Sequence, residues 1–124
     1  METEATIGLA LRKEAEKNNA IVTVADGDEP VAALDLYNFA KELSFEVISI
    51  GKGKNNPFNT FATPSSLTKE ASLKQMNSKM LTSFVDGTKT MVEMTALANF
   101  LDFNIDIDGM HGIEATYENI NQYY

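Results

Sequence analysis

The stretch AIVTVADGDEPVAALDLYNFAKELSFEVISIG, residues 20–51, decides the predicted fold. Its ends, AIVTVA (Ala20 to Ala25) and FEVISI (Phe45 to Ile50), are apolar and β-branched, as strands covered on both faces tend to be. The intervening DGDEP turns the chain, and Pro30 suits the first turn of a helix. A helix between two such strands predicts parallel strands joined by a right-handed crossover.

The sequence on either side of this stretch predicts further helices. Thr6 to Lys17 has apolar residues at helical spacing, and Asn18 and Asn19 are expected to end that helix. A short helix is expected after Ser65 and Ser66. An apolar-periodic segment from about Met80 to Leu101 predicts one long helix. We therefore predict an α/β fold: a partial parallel sheet with flanking helices that continues into a helix-rich region, all in one domain, residues 1–124.

Composition narrows the class of protein. The chain has 124 residues, 44% of them hydrophobic and 23% charged, which suits one globular domain. Its net charge of -8 argues against binding to nucleic acid or an anionic membrane. The best basic patch, Lys52 with Lys54, suits one small anion better than a phosphate backbone, so a small-molecule substrate is expected. The absence of cysteine excludes disulfides, thiolate zinc sites and a cysteine nucleophile. An acidic start and the lack of a long apolar run predict a cytoplasmic protein.

The loop GKGKNNP, Gly51 to Pro57, directly follows the second predicted strand. Ligands of open parallel sheets bind beyond the carboxyl ends of the strands. Lys52 and Lys54 can pair with a carboxylate or phosphate there, while Asn55 and Asn56 supply amide donors. The loop is neither a dinucleotide fingerprint nor a P-loop, and a solvated turn with surface lysines is the alternative.

The turn DGDEP follows the first predicted strand and offers three acidic side chains. Asp26, Asp28 and Glu29 can hold a divalent cation, since magnesium favours carboxylate oxygens. The stronger interpretation is structural, because acidic residues at the start of a helix cap it and interact well with its dipole.

The segment FVDGTKTMVEM, Phe84 to Met94, carries the most unusual charge pattern. If the helix is continuous, Asp86, Lys89 and Glu93 share one face, and a lysine beside carboxylates is suited to proton transfer or to polarising a carbonyl. A surface ladder of ion pairs is an equally good interpretation. Gly87 argues for a special role, because glycine inside a helix costs roughly 1 kcal/mol.

His111 is the only histidine and stands between glycines in GMHG. An exposed histidine near a site can act as an acid or base at neutral pH. An ordinary turn histidine is the alternative, and a single histidine excludes most histidine-rich metal sites.

Several long strings together resemble one known family: VTVADGDEP, FEVISIGKGKNNP, ATPSSL, LTSFVDGTKTMVEM and IDGMHG. They are similar to homoserine-dehydrogenase-like oxidoreductases, which include deoxyxylulose-phosphate-reductoisomerase-like enzymes. The likeness runs in order from Ile7 to Gly112. Full-length members of that family begin with an NAD(P)-binding Rossmann segment, whose glycine fingerprint does not occur in these 124 residues.

The resemblance implies a division of labour along the chain. Residues 1–51 would be the second half of a Rossmann-like unit, and residues 52–124 the catalytic or substrate region. Lys52 and Lys54 would face the nicotinamide and the substrate. The substrate pocket would be lined by Asp86, Lys89 and Glu93, with His111 nearby. The cofactor would be NAD(P), bound with the help of a further segment or a partner.

Three hypotheses follow. The leading one is the substrate-side domain of an NAD(P)-dependent oxidoreductase, in which Lys52 or Lys54 neutralises an anionic substrate and Lys89 polarises its carbonyl. The second is a non-catalytic binding module that forms homo-oligomers, because half of a sheet leaves an uncovered strand edge. The third is a magnesium- or manganese-dependent enzyme that uses Asp26, Asp28 and Asp86.

Overall fold

The computed structural model describes residues 2–23, 28–105, 107–109 and 111–123. Within these residues five α-helices follow one another, and a short 3-10 helix, Ile120–Gln122, lies near the C-terminus of the described part. The α-helices are α1 (Glu2–Lys17), α2 (Glu29–Glu42), α3 (Thr68–Leu73), α4 (Ser78–Val85) and α5 (Thr88–Leu101). Helix α5 is central, since it packs against α1, α2 and α4, while α3 packs against α4.

Four of these helices end in the same way. In each case a non-glycine residue adopts a left-handed backbone conformation. The backbone N–H of the residue that follows it donates a hydrogen bond to the carbonyl five positions before that following residue, as in a Schellman motif. A side chain in this region costs about 1 kcal/mol, which the capping hydrogen bond offsets. The left-handed residues are Asn19, Ser44, Gln75 and Asp102. The prediction that Asn18 and Asn19 end the first helix is confirmed.

Helix α2 begins where the sequence predicts it. The carboxylate of Asp28 accepts a hydrogen bond from the backbone N–H of Glu29 at 2.9 Å, and Pro30 lies in the first turn. Proline fits there because the first N–H groups of a helix have no partner within it. The capping role preferred for the DGDEP turn is therefore confirmed for Asp28, whereas Asp26 lies outside the described residues.

The predicted parallel sheet is wrong: within residues 2–23, 28–105, 107–109 and 111–123 there is no strand. Residues 20–23 and 45–50 follow helices without forming a ladder, and their apolar side chains are largely exposed, with Ile21 at 91% and Ile48 at 78%. An apolar β-branched segment becomes a strand only when another segment satisfies its backbone groups. No described segment does so, and the remainder of the first predicted strand, Val24 and Ala25, lies outside the description.

The single long helix predicted from Met80 to Leu101 is also wrong, because the chain breaks between α4 and α5. Gly87 has a φ of 86°, a left-handed value that ends one helix and starts the next. A Cβ at Gly87 would lie 2.6 Å from Cε2 of Phe58, so the aromatic ring also requires glycine there. The unusual glycine therefore lies at a helix junction rather than inside a helix.

The best-buried apolar cluster lies between α3 and α4. Ala71, Leu81 and Val85 are buried, and Ala62, Leu67 and Met76 pack around them. This cluster fixes α4, and through the Gly87 junction it fixes the direction in which α5 leaves. None of the described helices is both long and apolar enough to cross a membrane.

Candidate functional site

A buried carboxylate between two lysines is the main polar feature of the structure. Glu93, in α5, is fully buried, and each of its two carboxylate oxygens accepts a hydrogen bond from a lysine, Oε2 from Lys52 and Oε1 from Lys89. An isolated carboxylate would be expensive to bury, but two ammonium groups supply both charge and hydrogen bonds. This arrangement places two cations at the edge of the fold, where each retains about one fifth of its side-chain exposure.

A second carboxylate closes the arrangement into a ring. Glu29 Oε1 lies 3.1 Å from Lys52 Nζ, and Glu29 Oε2 lies 2.9 Å from Lys89 Nζ. Lys52, Glu93, Lys89 and Glu29 thus alternate in charge, and we call this set the ion-pair ring. Asp28 adds a weaker contact, with Oδ1 3.5 Å from Lys89 Nζ.

The helix packing explains why these four side chains meet. Glu29 is the first residue of α2, and α2 packs against α5, which carries both Lys89 and Glu93 one turn apart. Lys52 comes from the non-helical segment that follows α2. A salt ladder along one helix would have stayed on the surface, whereas contributions from three separate segments allow the centre of the ring to be buried.

The ring shifts the pKa values of Glu29 and Lys89. Hydrogen bonding from Lys89, then from its own backbone, and further attraction by Lys52 lower the pKa of Glu29 from 4.5 to about 2, although burial opposes this shift. Burial acts against the charge on Lys89, but the carboxylates of Glu93 and Glu29 outweigh it and raise the pKa of Lys89. At neutral pH Lys89 is therefore a stable cation that donates hydrogen bonds, rather than a base.

Lys54 behaves in the opposite way. Burial lowers its pKa, the positive charge of Lys52 lowers it further, and the carboxylate of Asp86 opposes the change. Lys54 therefore loses its proton more easily than Lys89. Lys52 and Lys54, predicted together from GKGKNNP, both lie near the ring but have different electrostatic surroundings.

The sequence predicts that Asp86 shares a helical face with Lys89 and Glu93, and this prediction is wrong. Asp86 caps the end of α4, and its Oδ1 accepts a hydrogen bond from the backbone N–H of Thr88 at 2.8 Å. The break at Gly87 takes Asp86 out of α5, so the continuous-helix spacing does not apply. The carboxylate that completes the ring is instead that of Glu29. The sequence predicts for Glu29 only a role at the start of a helix or as a ligand of a divalent cation.

The remaining predicted residues lie around the ring rather than in it. Asn56 Oδ1 accepts a hydrogen bond from Lys74 Nζ at 3.1 Å, while Asn55 is exposed. His111 is exposed and belongs to the loop whose Gly112 lies against Phe58, since a Cβ there would be 3.2 Å from the Phe58 ring. The same ring faces Gly87, so Phe58 connects the His111 loop to the start of α5. The sequence does not single out Phe58, and its only signal there is the pair of glycines, Gly87 and Gly112, that flank the ring in the structure.

A divalent cation does not fit the acidic cluster. Single oxygens of Asp28, Glu29 and Glu93 lie within 4.8 Å of one another, a spacing that suits a metal ion. However, Lys52 and Lys89 occupy both oxygens of Glu93 and of Glu29. Two ammonium groups beside a metal ion would repel it, so these residues form an ion-pair site and not a metal centre.

A dinucleotide does not fit the described residues either. Such a cofactor is held where a strand leads through glycines into a helix N-terminus. GKGKNNP instead runs into a non-helical loop, and no strand precedes it in the part of the chain that the structure describes. The site therefore consists of side chains suited to an anionic or carbonyl-bearing molecule.

Comparison with known proteins gives the class to which this site belongs. The family model described as the catalytic domain of oxidoreductase DRL matches residues 27–124, which include every member of the ion-pair ring. The chain belongs to this family of oxidoreductase catalytic domains. No curated protein matches the chain.

Proposed function

We propose that the chain is the substrate-side domain of an NAD(P)-dependent oxidoreductase of the homoserine-dehydrogenase-like type. Its substrate would be a small polar hydroxy-carbonyl compound or a sugar-phosphate-like molecule. The observation that carries the proposal is the position of Lys89, a partly exposed ammonium group held between Glu93 and Glu29. The family of catalytic domains to which the chain belongs supports the class of reaction.

Lys89 would serve the reaction as a positioned positive charge. Reduction of a carbonyl group builds negative charge on its oxygen, and an ammonium group within hydrogen-bond reach stabilises that charge. Its raised pKa keeps Lys89 protonated at neutral pH, so this role needs no prior proton transfer. The buried Glu93 would act as the positioning residue, because it fixes both Lys89 and Lys52.

The cofactor would be held by residues other than those described. NAD(P) is expected from the family, but the described residues do not form a dinucleotide cradle, as shown above. The described residues would therefore supply substrate binding and charge stabilisation.

The test is binding of small hydroxy-carbonyl compounds and their phosphate esters, measured by calorimetry, with NADH or NADPH oxidation followed on the same samples. We expect Lys89→Met to weaken binding at least tenfold, the loss of roughly one charge-assisted hydrogen bond. Lys89→Arg should retain part of it, since it preserves the charge. Lys79→Met is the control, because Lys79 is an exposed lysine in the neighbouring helix α4. Equal binding by the Lys89→Met and Lys79→Met proteins would contradict the proposal.

A second candidate function is a module that associates with another copy of this chain. Exposed apolar side chains in the non-helical residues 20–23 and 45–50 favour this self-association, notably Ile21, Phe45 and Ile48. Light scattering should then show a dimer that Ile48→Lys converts to a monomer. A monomer at all concentrations would remove this candidate and leave the first one unaffected.

A further inference from the structure

The two carboxylates of the ion-pair ring differ in their surroundings. Glu93 has no exposed surface, whereas the side chain of Glu29 retains 47% of its exposure. Both of them bridge the same two lysines. Glu93 is therefore part of the interior, and Glu29 approaches the lysines from the solvent side.

The charges show what the ring would be without Glu29. Lys52, Lys89 and Glu93 together carry one net positive charge at the protein surface. Glu29 neutralises that charge with two oxygens, one directed at each ammonium group, at 3.1 Å and 2.9 Å. Asp28 does not substitute for it, because its Oδ1 lies 3.5 Å from Lys89 and also caps α2. Any small ligand that presents two anionic oxygens can satisfy the same pair of lysines.

A shallow depression lies beside Glu29. It has a volume of about 310 Å³, which suits a small ligand, and it is lined by Asp28, Glu29, Val31, Ala32 and Asp35. Its carboxylates accept hydrogen bonds and repel additional anions. A molecule that lies there with its anionic end at the lysines should therefore carry hydroxyl groups along the rest of its length.

We propose that Lys52 and Lys89 bind the carboxylate or phosphate group of a small hydroxylated ligand, and that Glu29 occupies this site as an internal competitor. This inference rests on the proposed function, because it defines the substrate class of the same site. The ligand displaces Glu29, while Glu93 stays in place and keeps the two ammonium groups together. Because the side chain of Glu29 is 47% exposed, solvent screens its ion pairs, so the exchange of one anion for another is energetically accessible.

The test compares Glu29→Gln with the wild-type chain in binding to glycerate and to glycerol 3-phosphate. Removal of an internal competitor raises the competent fraction of the site, so the variant should bind at least one ligand roughly tenfold more tightly. Glycerol controls for hydroxyl groups without charge, and sodium chloride at matched ionic strength controls for charge without shape. The preferred ligand tells whether the anionic group is a carboxylate or a phosphate.

Glu42→Gln is the matched control variant. Glu42 is exposed and ends the same helix, about 20 Å from Glu29 at 1.5 Å per residue. The Glu42→Gln variant removes the same charge as Glu29→Gln but should leave the affinity for glycerate and glycerol 3-phosphate unchanged. Lys52→Met in the Glu29→Gln background should abolish the gain. Equal affinities for the Glu29→Gln and Glu42→Gln proteins, or an equal response to chloride, would overturn the inference.

Circular dichroism checks that each variant is folded. If Glu29→Gln does not fold, ligand binding by Glu29→Asp tests the inference instead. The shorter aspartate side chain keeps the charge but cannot bridge both lysines. Tighter ligand binding by Glu29→Asp supports the inference, and unchanged binding contradicts it.

The two proposals fail in different ways. If Glu29→Gln tightens anion binding but no carbonyl compound binds, this inference stands and the proposed function fails. If carbonyl compounds bind through Lys89 and Glu29→Gln leaves their affinity unchanged, the proposed function stands and this inference fails.

Discussion

Lys52 and Glu93 lie 41 positions apart in the sequence and form an ion pair whose carboxylate is completely buried. Glu93 comes from the central helix α5, and Lys52 comes from the non-helical segment after α2. The pair therefore exists only when this segment lies against α5. Stability of this packing and integrity of the site depend on the same contact.

Glu93→Gln should destabilise the chain by about 3 kcal/mol, because it leaves two ammonium groups without their buried counter-charge. This loss lies near the lower end of the range for broken buried ion pairs, since the side chains of Lys52 and Lys89 remain 19% and 20% exposed to solvent. Urea denaturation measures the change in the free energy of unfolding.

The control for this prediction is Glu70→Gln. Glu70, in α3, pairs at 2.6 Å with Lys74, the residue that caps the end of that helix, also four positions away, but both side chains are about two fifths exposed. Its loss should cost below about 0.5 kcal/mol. Similar losses for the two variants would show that burial of Glu93 does not strengthen its ion pairs.

Gly87→Ala should destabilise the chain by about 1–2 kcal/mol, because a left-handed backbone disfavours any Cβ. The φ of Gly87 is 86°, and a Cβ there would lie 2.6 Å from the Phe58 ring, which has to shift. Gly53→Ala provides the comparison, since a Cβ there meets no atom within 4 Å, and it should change stability by less than about 0.5 kcal/mol. Thermal unfolding of the two variants measures the difference, and equal midpoints would contradict the assigned junction.

Acid should weaken the ring through Glu29. Its pKa is depressed from 4.5 to about 2, so its contribution to stability is present above pH 4.5 and is lost as the pH falls toward 2. Glu29→Gln should therefore lower the melting temperature at neutral pH, and the difference from wild type should shrink below pH 4.5. Because Glu29 is half exposed, added salt should reduce the effect as well. A difference that is independent of pH would show that Glu29 acts only through packing.

Lys54 and Lys89 should titrate on opposite sides of the ordinary lysine pKa of 10.5. Burial lowers the pKa of Lys54, and carboxylates raise that of Lys89. Nuclear magnetic resonance of isotopically methylated lysines follows both titrations. Asp86→Asn should lower the pKa of Lys54 further, because it removes the carboxylate that opposes the shift. Titration of Lys54 above Lys89 would contradict this assignment.

Local features could be predicted from the sequence because nearby residues decide them. The first helix and its end at Asn18 and Asn19 follow from periodicity and turn-forming residues. The cap at Asp28 and the place of Pro30 follow from the unpaired N–H groups of a helix start. The prediction of parallel strands was wrong because a strand requires a partner, which β-branched composition cannot guarantee.

The sequence by itself determined the ends of the first helices, the lack of cysteine chemistry and the lysine and carboxylate residues available for a site. Only the tertiary structure decided which of these charges meet. The left-handed Gly87 separates Asp86 from α5, and the packing of α2 on α5 brings Glu29 to Lys52 and Lys89. Helical spacing governs contacts four residues apart, whereas the ion-pair ring depends on how separate segments pack, and no local pattern records that packing.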